Sequence, residues 1–412
     1  MGLGSLWMIL ATGVLNLSMV LYQRVMSNSL GDAFAELSVF GALTNVAGVL
    51  CTGASITLVK TFAEDEAEGG PGAALGRFQL LRGTVFKVML AAALIFTAIA
   101  PFAIAYLKLK SVLSYSLFSL GFVLSLGVMA ARALVQGTQR FGFLGLSFAG
   151  EGLGRVGLGA LLVYAGAGVA GALSGSALAM FVGLSFCMAA MAKLGPASAP
   201  RPRHLAGSLK EMGADATVLG LFSLLCYLDL FVIKHQLEDD PAAMYARAAL
   251  VAKSFLYLAA ALNMVLLPAV SSARAKGGDL QAKKTLLKFL AGAAAMEFAG
   301  LAFVWAFCPL VIRILCGNDP KFQALSSLIP VFSAAVVPLA LAQLVLYYLL
   351  AARDYRAIVL LAVIAGIYSV ALQGAGGDAF KVVAWLGGAA TVLLTGSLWL
   401  ALSGRRGSER PA

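Results

Sequence analysis

Charged residues are scarce in this 412-residue chain: Asp, Glu, Lys and Arg make up 12% of it, whereas 61% of the residues are hydrophobic. Soluble domains contain about 25% charged and about 45–50% apolar residues. The sequence also lacks a hydrophilic stretch long enough for a soluble domain, since its longest polar segments are 59–82 and 193–211. These shortages exclude a cytosolic enzyme, a secreted domain and a DNA-binding factor. They predict an all-α polytopic membrane protein, because the apolar runs are continuous and do not alternate as barrel strands do.

Residues that carry catalysis or bind metals are equally few. The chain has two histidines, His204 and His235, and its five cysteines form no CxxC pair. We therefore predict no catalytic centre, no metal site, no cofactor and no disulfide framework. The segment Gly152–Gly157 fits the dinucleotide fingerprint GxGxxG, but it lies in an apolar stretch that follows no soluble strand. We interpret it, with Gly171 and Gly175, as glycines that allow close helix packing.

Long apolar runs are what the sequence does have. A membrane-spanning helix needs about 20 predominantly apolar residues. By this measure the sequence predicts about twelve spans. They lie near residues 4–25, 34–58, 84–106, 112–135, 143–165, 170–192, 213–236, 243–269, 288–310, 325–350, 357–373 and 381–402.

The net charge of +11 also has a membrane interpretation. Most Lys and Arg residues fall in alternate loops, which the positive-inside rule places in the cytoplasm. With an even number of spans, both termini are then cytoplasmic. We therefore predict a multi-pass protein of the cytoplasmic (inner) membrane, with the lipid bilayer as its surroundings and no nucleic acid as a partner.

The spans divide into two sets of six. The segment "GPASAPRPRH" at 195–204 interrupts the helical pattern, so we predict an N-terminal lobe at 1–195, a cytoplasmic linker at 196–211 and a C-terminal lobe at 212–412. The lobes echo each other weakly: "RFQLLRG" at Arg77–Gly83 precedes the third span and "KKTLLKF" at Lys283–Phe289 precedes the ninth. Parallel repeats of this kind are typical of transporters, with the substrate bound near the midplane between them.

Ionisable residues inside the predicted spans are the candidate site. A charge at the bilayer centre costs about 2.5–3.5 kcal/mol on insertion scales and usually faces a bundle interior or a wet cavity. A cavity lined by cations selects anions, and Arg binds phosphate in bidentate fashion. A sugar on a lipid pyrophosphate would fit such a cavity. The candidate substrate-binding residues are Arg24, Arg132, Arg155, Lys234, Arg247 and Lys253, and the candidate charge-balancing or coupling-ion residues are Glu151, Asp229 and Glu297.

Several of these residues have a second interpretation. Arg24 and Lys234 stand near predicted helix ends, from which a long side chain can reach the membrane interface. Glu151 and Arg155 are four residues apart, so they can pair on one helix face. Asp229 either neutralises one of the cations or binds a coupling ion.

Four segments of the sequence resemble the polysaccharide flippases of the multidrug/oligosaccharidyl-lipid/polysaccharide (MOP) exporter superfamily. Each is weakly specific alone, and their order and spacing carry the resemblance. They are Arg24–Leu50 ("RVMSNSLGDAFAELSVFGALTNVAGVL"), Leu134–Val163, Tyr227–Ala273 and Ile312–Phe322 ("IRILCGNDPKF").

The resemblance implies twelve helices in two six-helix lobes and alternating access. It implies that a monomer exports an undecaprenyl-pyrophosphate-linked oligosaccharide for cell-surface polysaccharide synthesis, alongside a polymerase or other biosynthesis proteins. Arg24 resembles the cavity arginine in helix 1 of lipid II flippases. Those proteins usually have fourteen helices, so the shorter pattern here puts a peptidoglycan substrate in doubt.

Two alternatives remain open at this point. The first is a cation-coupled multidrug exporter of the same superfamily that uses Asp229 or Glu297. The basic balance of the intramembrane charges disfavours it. The second is a non-transporting membrane subunit of a polysaccharide secretion complex, in which the charges would be structural.

Overall fold

The computed structural model describes residues 3–69, 72–198, 206–317 and 319–403, and α-helices joined by short turns form most of these ranges. Thirteen α-helices occur among the described residues. They are α1 (Leu3–Leu30), α2 (Phe34–Gly69), α3 (Ala73–Tyr106), α4 (Val112–Gly137), α5 (Phe141–Leu162), α6 (Gly168–Ala192), α7 (Ala206–Gln236), α8 (Asp239–Ala252), α9 (Ser254–Ala306), α10 (Cys308–Leu315), α11 (Leu328–Ala351), α12 (Ala357–Gln373) and α13 (Ala379–Ser403).

Seven stretches of the described helices are long and apolar enough to cross a membrane, and one of them, Phe141–Ala192, contains both α5 and α6. The helix α12 is apolar but shorter, with 17 residues. Each of the twelve predicted spans falls on helix in the structure, but the spans 243–269 and 288–310 both lie largely on the single helix α9, which also includes the predicted loop between them. The predicted all-α class is thereby confirmed.

The chain groups into two compact units, Met1–Ala216 and Thr217–Ala412. Part of the predicted linker, residues 199–205, lies outside the described residues, so the predicted lobe boundaries stay a prediction.

In unit 1, α5 packs along α6 and α1, while α4 contacts α6, α2 and α3. Glycines make the closest of these approaches. A Cβ at Gly175 would overlap the backbone of Gly159, and one at Gly171 would lie 3.0 Å from the backbone of Leu162. Gly152 and Gly154 lie against Ser18 and Ala179 in the same way. The interpretation as packing residues is confirmed for Gly152, Gly154, Gly171 and Gly175, whereas nothing lies within 4 Å of the Cβ position of Gly157.

In unit 2, α11 is the central helix and packs against α9, α13 and α8. Its side chains are buried along most of its length, including Phe332, Val336, Leu344 and Tyr348. An apolar helix that is buried on nearly every side is the core of its unit. The helices α8, α9 and α13 are therefore positioned against α11.

Three predicted helix boundaries were wrong. The predicted span 243–269 is broken at Lys253, where the Ser254 hydroxyl donates to the Val251 carbonyl (2.7 Å) in competition with the helical pattern. The predicted span 288–310 ends at Ala306, and the short α10 begins at Cys308 with Pro309, which lacks an N–H, in its first turn. The predicted spans 143–165 and 170–192 are joined by a π-helical turn at Val163–Ala167, in which Gly166 has φ +91°.

Candidate functional site

Two arginines share one carboxylate inside unit 1. Arg132 on α4 and Arg155 on α5 both contact Glu151 on α5, with Nη2 of Arg132 2.7 Å from Oε2 and Nη2 of Arg155 2.6 Å from Oε1. Glu151 is buried, and each arginine is mostly buried. The predicted pairing of Glu151 with Arg155 is therefore present, but a second cation joins it. The cluster therefore contains two guanidinium groups and one carboxylate, which is one cation more than a neutral pair.

The position of Arg132 is fixed by three further contacts. Its Nε donates to the Ser147 hydroxyl (2.9 Å), and its Nη2 donates to the Ser147 carbonyl (3.0 Å). The guanidinium lies over the Phe148 ring, 4.4 Å from the centroid, as in a cation–π pair. A Cβ at Gly183 on α6 would come within 2.8 Å of Nη2. The sequence reasoning missed Ser147 and Gly183, which lie 15 and 51 residues from Arg132 in the sequence and meet it only through the packing of the helices.

Arg155 connects this cluster to α1. Its Nη1 lies 3.0 Å from the Met19 Sδ on α1, which packs along α5. Arg24 lies further along α1 and is exposed, on the face that also exposes Leu17, Val20 and Leu21. Among the described residues no carboxylate pairs with Arg24. Arg24 therefore keeps its charge available to a ligand.

In unit 2 the buried carboxylate of Asp229 is engaged at both oxygens. The Lys253 ammonium lies 2.7 Å from Oδ1, and the Tyr245 hydroxyl donates to Oδ2 at 2.7 Å. Lys253 also lies over the rings of Tyr227 (5.1 Å) and Phe332 (5.8 Å). Of the two interpretations of Asp229, this geometry favours charge neutralisation, with Lys253 as the cation. Tyr245 is a site residue that was absent from the predicted set.

The remaining two predicted cations of unit 2 are buried elsewhere. Lys234, in the last turn of α7, contacts Asp239 in the first turn of α8 and is almost wholly shielded from solvent. Arg247 on α8 is fully buried, with its guanidinium 4.6 Å from the centroid of the Phe322 ring. The structure thus brings together Asp229 with Lys253 and Glu151 with two arginines, and leaves Lys234 and Arg247 in separate surroundings. Their assignment to substrate binding stays a prediction.

Glu297 differs from the other two predicted acids, Glu151 and Asp229, in its surroundings. It is fully buried on α9, and in the described part of the chain neither of its carboxylate oxygens has a hydrogen-bond partner. Ala293 and Val304 are buried on the same helix, while Met296 and Phe298 are exposed. Glu297 therefore stands in the middle of a narrow buried stripe that is otherwise apolar. A buried carboxylate without partners is costly, which makes it a candidate functional group.

Comparison with known proteins gives structural likeness only. No protein-family model matches the sequence, and no curated protein matches it. Solved structures do match over nearly the whole chain. An inward-facing MATE-family multidrug resistance transporter of the MOP superfamily has a TM-score of 0.74 at 12% identity, covering 96% of this chain and 98% of that one. The lipid II flippase MurJ, in an inward closed conformation, has a TM-score of 0.69 at 9% identity, covering 98% and 87%.

A third match is a MOP superfamily transporter from Pyrococcus furiosus, described as having a binding pocket of reversed polarity. Its TM-score is 0.63 at 13% identity, and the match covers 97% of this chain and 94% of that one. All three matched structures are membrane transporters or flippases by their descriptions. At identities this low the likeness establishes the architecture, and it confirms the predicted two-lobe arrangement of about twelve helices. The chain has the fold of the MOP superfamily of transporters.

Proposed function

We propose that this protein is a transporter that moves an anionic, lipid-linked substrate across the membrane. The observation that carries the proposal is the cluster of Arg132, Glu151 and Arg155, in which two guanidinium groups share a single carboxylate. Neutral pairs inside an apolar protein are explained by structure alone. A surplus buried cation is costly and usually marks a substrate or ion pathway.

The chemistry of the surplus cations fits a phosphate. Guanidinium groups bind phosphate oxygens through two parallel hydrogen bonds and remain charged at all physiological pH values. Arg24 adds a further exposed cation on α1, the helix that Arg155 contacts through Met19. A lipid pyrophosphate carries the complementary charge and stays in the bilayer by its hydrocarbon chain.

The finer assignment is an undecaprenyl-pyrophosphate-linked oligosaccharide, exported by alternating access for the synthesis of cell-surface polysaccharide. It is supported by the sequence resemblance to polysaccharide flippases and by the likeness in fold to a lipid II flippase. The assignment places the protein in the cytoplasmic membrane with both termini inside and requires no catalytic residue.

A second candidate function is cation-coupled drug export. Two observations favour it: the matched MATE transporters are multidrug exporters by their descriptions, and Glu297 is a buried carboxylate of the kind that can carry a proton. Asp229 supports it less, because Lys253 and Tyr245 already occupy its two oxygens.

The two functions are separated by a reconstitution experiment. The purified protein is placed in liposomes that contain undecaprenyl-pyrophosphate linked to a short oligosaccharide with a fluorescent sugar, and external dithionite measures how much label reaches the outer leaflet. Flippase activity predicts faster exposure of the label than in protein-free liposomes. Exposure at the protein-free rate, together with pH-driven uptake of ethidium, would establish drug export instead. Failure of both assays would support the non-transporting subunit.

The variants Arg24→Gln and Arg155→Gln test the cations in the same assay. Arg155→Gln removes the surplus charge and leaves Arg132 paired with Glu151, so no buried charge is left uncompensated. Loss of one charge-assisted contact of about 1.5–3 kcal/mol predicts a decrease of roughly 10- to 100-fold in the initial rate. Lys381→Gln, at an exposed lysine beside Asp378, is the matched control and retains the full rate.

A further inference from the structure

Unit 1 contains a large apolar cavity, distinct from the arginine cluster. The cavity has a volume of about 630 Å³ and is lined by α2, α3 and α4. This is within the range of about 300–1,000 Å³ that is typical of ligand pockets. Its lining is almost wholly hydrocarbon and includes Ala54, Val88, Ala92 and Leu126. None of the residues singled out for charge or transport lines it.

The cavity is long and runs parallel to the helices. On α3 its lining extends from Leu81 to Phe96, which corresponds to about 22 Å at a rise of about 1.5 Å per residue. The hydrocarbon core of a bilayer is about 30 Å thick. A cavity of this length along spanning helices has the direction and the reach of one lipid chain. Val88 and Ile95 line the cavity and are exposed, so the cavity is open along α3, whereas Leu94 and Phe102 are exposed on α3 outside the lining.

The two ends of the cavity differ in chemistry. One end is closed by the rings of Phe96 and Phe122, whose centroids are 5.1 Å apart. The other end carries the hydroxyl-bearing side chains Thr57, Thr61 and Thr84. The cavity is therefore apolar at the end near Phe96 and Phe122 and more polar at the end near the three threonines.

Two cations lie along the polar half of the cavity. Arg82 and Lys87 are exposed on α3, on either side of the cavity-lining residues Thr84 and Val85. Within the described ranges neither cation has an ion-pair partner. The nearby acidic Asp65 is already paired with Arg77, at 2.8 Å. Lys87 lies inside the long apolar α3 and within the predicted span 84–106. It was nevertheless missed among the intramembrane charges.

We propose that this cavity binds one acyl chain of a bilayer phospholipid, with the lipid phosphate at Arg82 and Lys87 and the chain end at Phe96 and Phe122. The hydrocarbon lining and the length fit the chain. The exposed cations fit the phosphate, because Lys and Arg near the membrane surface attract anionic headgroups. The site is independent of the proposed transport function, since it shares no residue with the arginine cluster.

The test uses the full-length protein in nanodiscs with phosphatidylglycerol that carries a diazirine at the end of one acyl chain. After irradiation, mass spectrometry locates the labelled residues. The proposal predicts labelling at Phe96 and Phe122, and labelling near Thr84 when the diazirine is placed next to the glycerol. Labels confined to the outer face of α3, at Leu94 and Phe102, would overturn it.

Two variants of the same helix provide the comparison. Ala92→Trp fills the cavity and predicts a decrease of roughly tenfold in labelling at Phe122, whereas Leu94→Trp adds the same ring to the outer face and leaves it unchanged. If Ala92→Trp does not fold, Arg82→Gln combined with Lys87→Gln replaces it, with a smaller decrease expected. Equal labelling in all variants would contradict the site. Displacement of the probe by trace undecaprenyl phosphate would show that a polyprenyl chain, and not a phospholipid, is the occupant.

Discussion

Asp229 and Lys253 form an ion pair of 2.7 Å at the point where α8 ends and α9 begins. Lys253 is the residue between the two helices, and its backbone N–H donates to the Ala249 carbonyl at 2.8 Å. The side chain of the junction is therefore held by α7, on which Asp229 lies, while its backbone ends α8. This single contact ties three consecutive helices together.

The first prediction concerns that pair. Lys253→Met leaves a buried carboxylate without its cation and is expected to reduce the free energy of unfolding by about 3–5 kcal/mol. The double variant with Asp229→Asn removes both charges and is expected to recover most of the loss. Thermal unfolding in detergent, followed by a thiol-reactive dye or by size-exclusion chromatography, measures both. A single variant as stable as the wild type would contradict the assignment of a neutral structural pair.

Substitutions within the arginine cluster are expected to differ in how much they destabilise the protein. Glu151→Gln leaves the guanidinium groups of Arg132 and Arg155 beside each other without a counter-charge, so a loss of about 3–5 kcal/mol is expected. Arg155→Gln keeps one neutral pair and is expected to cost less than about 1.5 kcal/mol. The melting temperatures of the two variants are measured side by side, and that of Glu151→Gln is expected to be the lower. A reversed order would show that the surplus charge is not on the arginines.

The glycine contact between α5 and α6 predicts sensitivity to one added methyl group. Gly175→Ala places a Cβ on the backbone of Gly159, and overpacking of this kind costs about 1–3 kcal/mol. Gly157→Ala is the matched control, because nothing lies within 4 Å of its Cβ position. The control is expected to match or slightly exceed the wild type in stability, since alanine is a better helix former. Unfolding midpoints of the two variants provide the comparison.

Glu297 is expected to respond differently from Asp229. Glu297→Gln replaces a buried carboxyl group that has no hydrogen-bond partner in the described part of the chain with an amide of the same shape, so the stability of the protein is expected to be retained. Asp229→Asn breaks a paired charge and is expected to lower it. If the protein exports drugs in exchange for protons, Glu297→Gln also abolishes the pH dependence of ethidium uptake. Unchanged pH dependence would remove Glu297 from the coupling mechanism.

The spans were predictable because membrane helices follow a simple rule of length and apolarity, which needs no knowledge of tertiary contacts. The pair of Glu151 with Arg155 was predictable for a similar reason, because both residues lie four apart on one helix. The partner of Asp229 was not, since Lys253 is 24 residues away on another segment. Several cations were available in the sequence, and only packing selects among them.

The helix break at Lys253 was missed because no glycine or proline marks it. The sequence also could not show that Glu297 is buried without a partner. It gives the acidic and basic residues but not which of them form contacts in the fold. Counting the charges in the spans therefore overestimated how many cations have no carboxylate partner. In the structure Lys253 and Lys234 are each matched by a carboxylate.

The backbone contact between Gly159 and Gly175 also has a mechanical consequence. Two helices that touch backbone to backbone, and that are joined by a five-residue turn, cannot slide or splay without losing their closest packing. The α5–α6 hairpin is therefore expected to move as a rigid body. Arg132 is bound to α5 through Glu151 and Ser147. Any rearrangement of unit 1 that moves the α5–α6 hairpin therefore moves the charged cluster with it as one body.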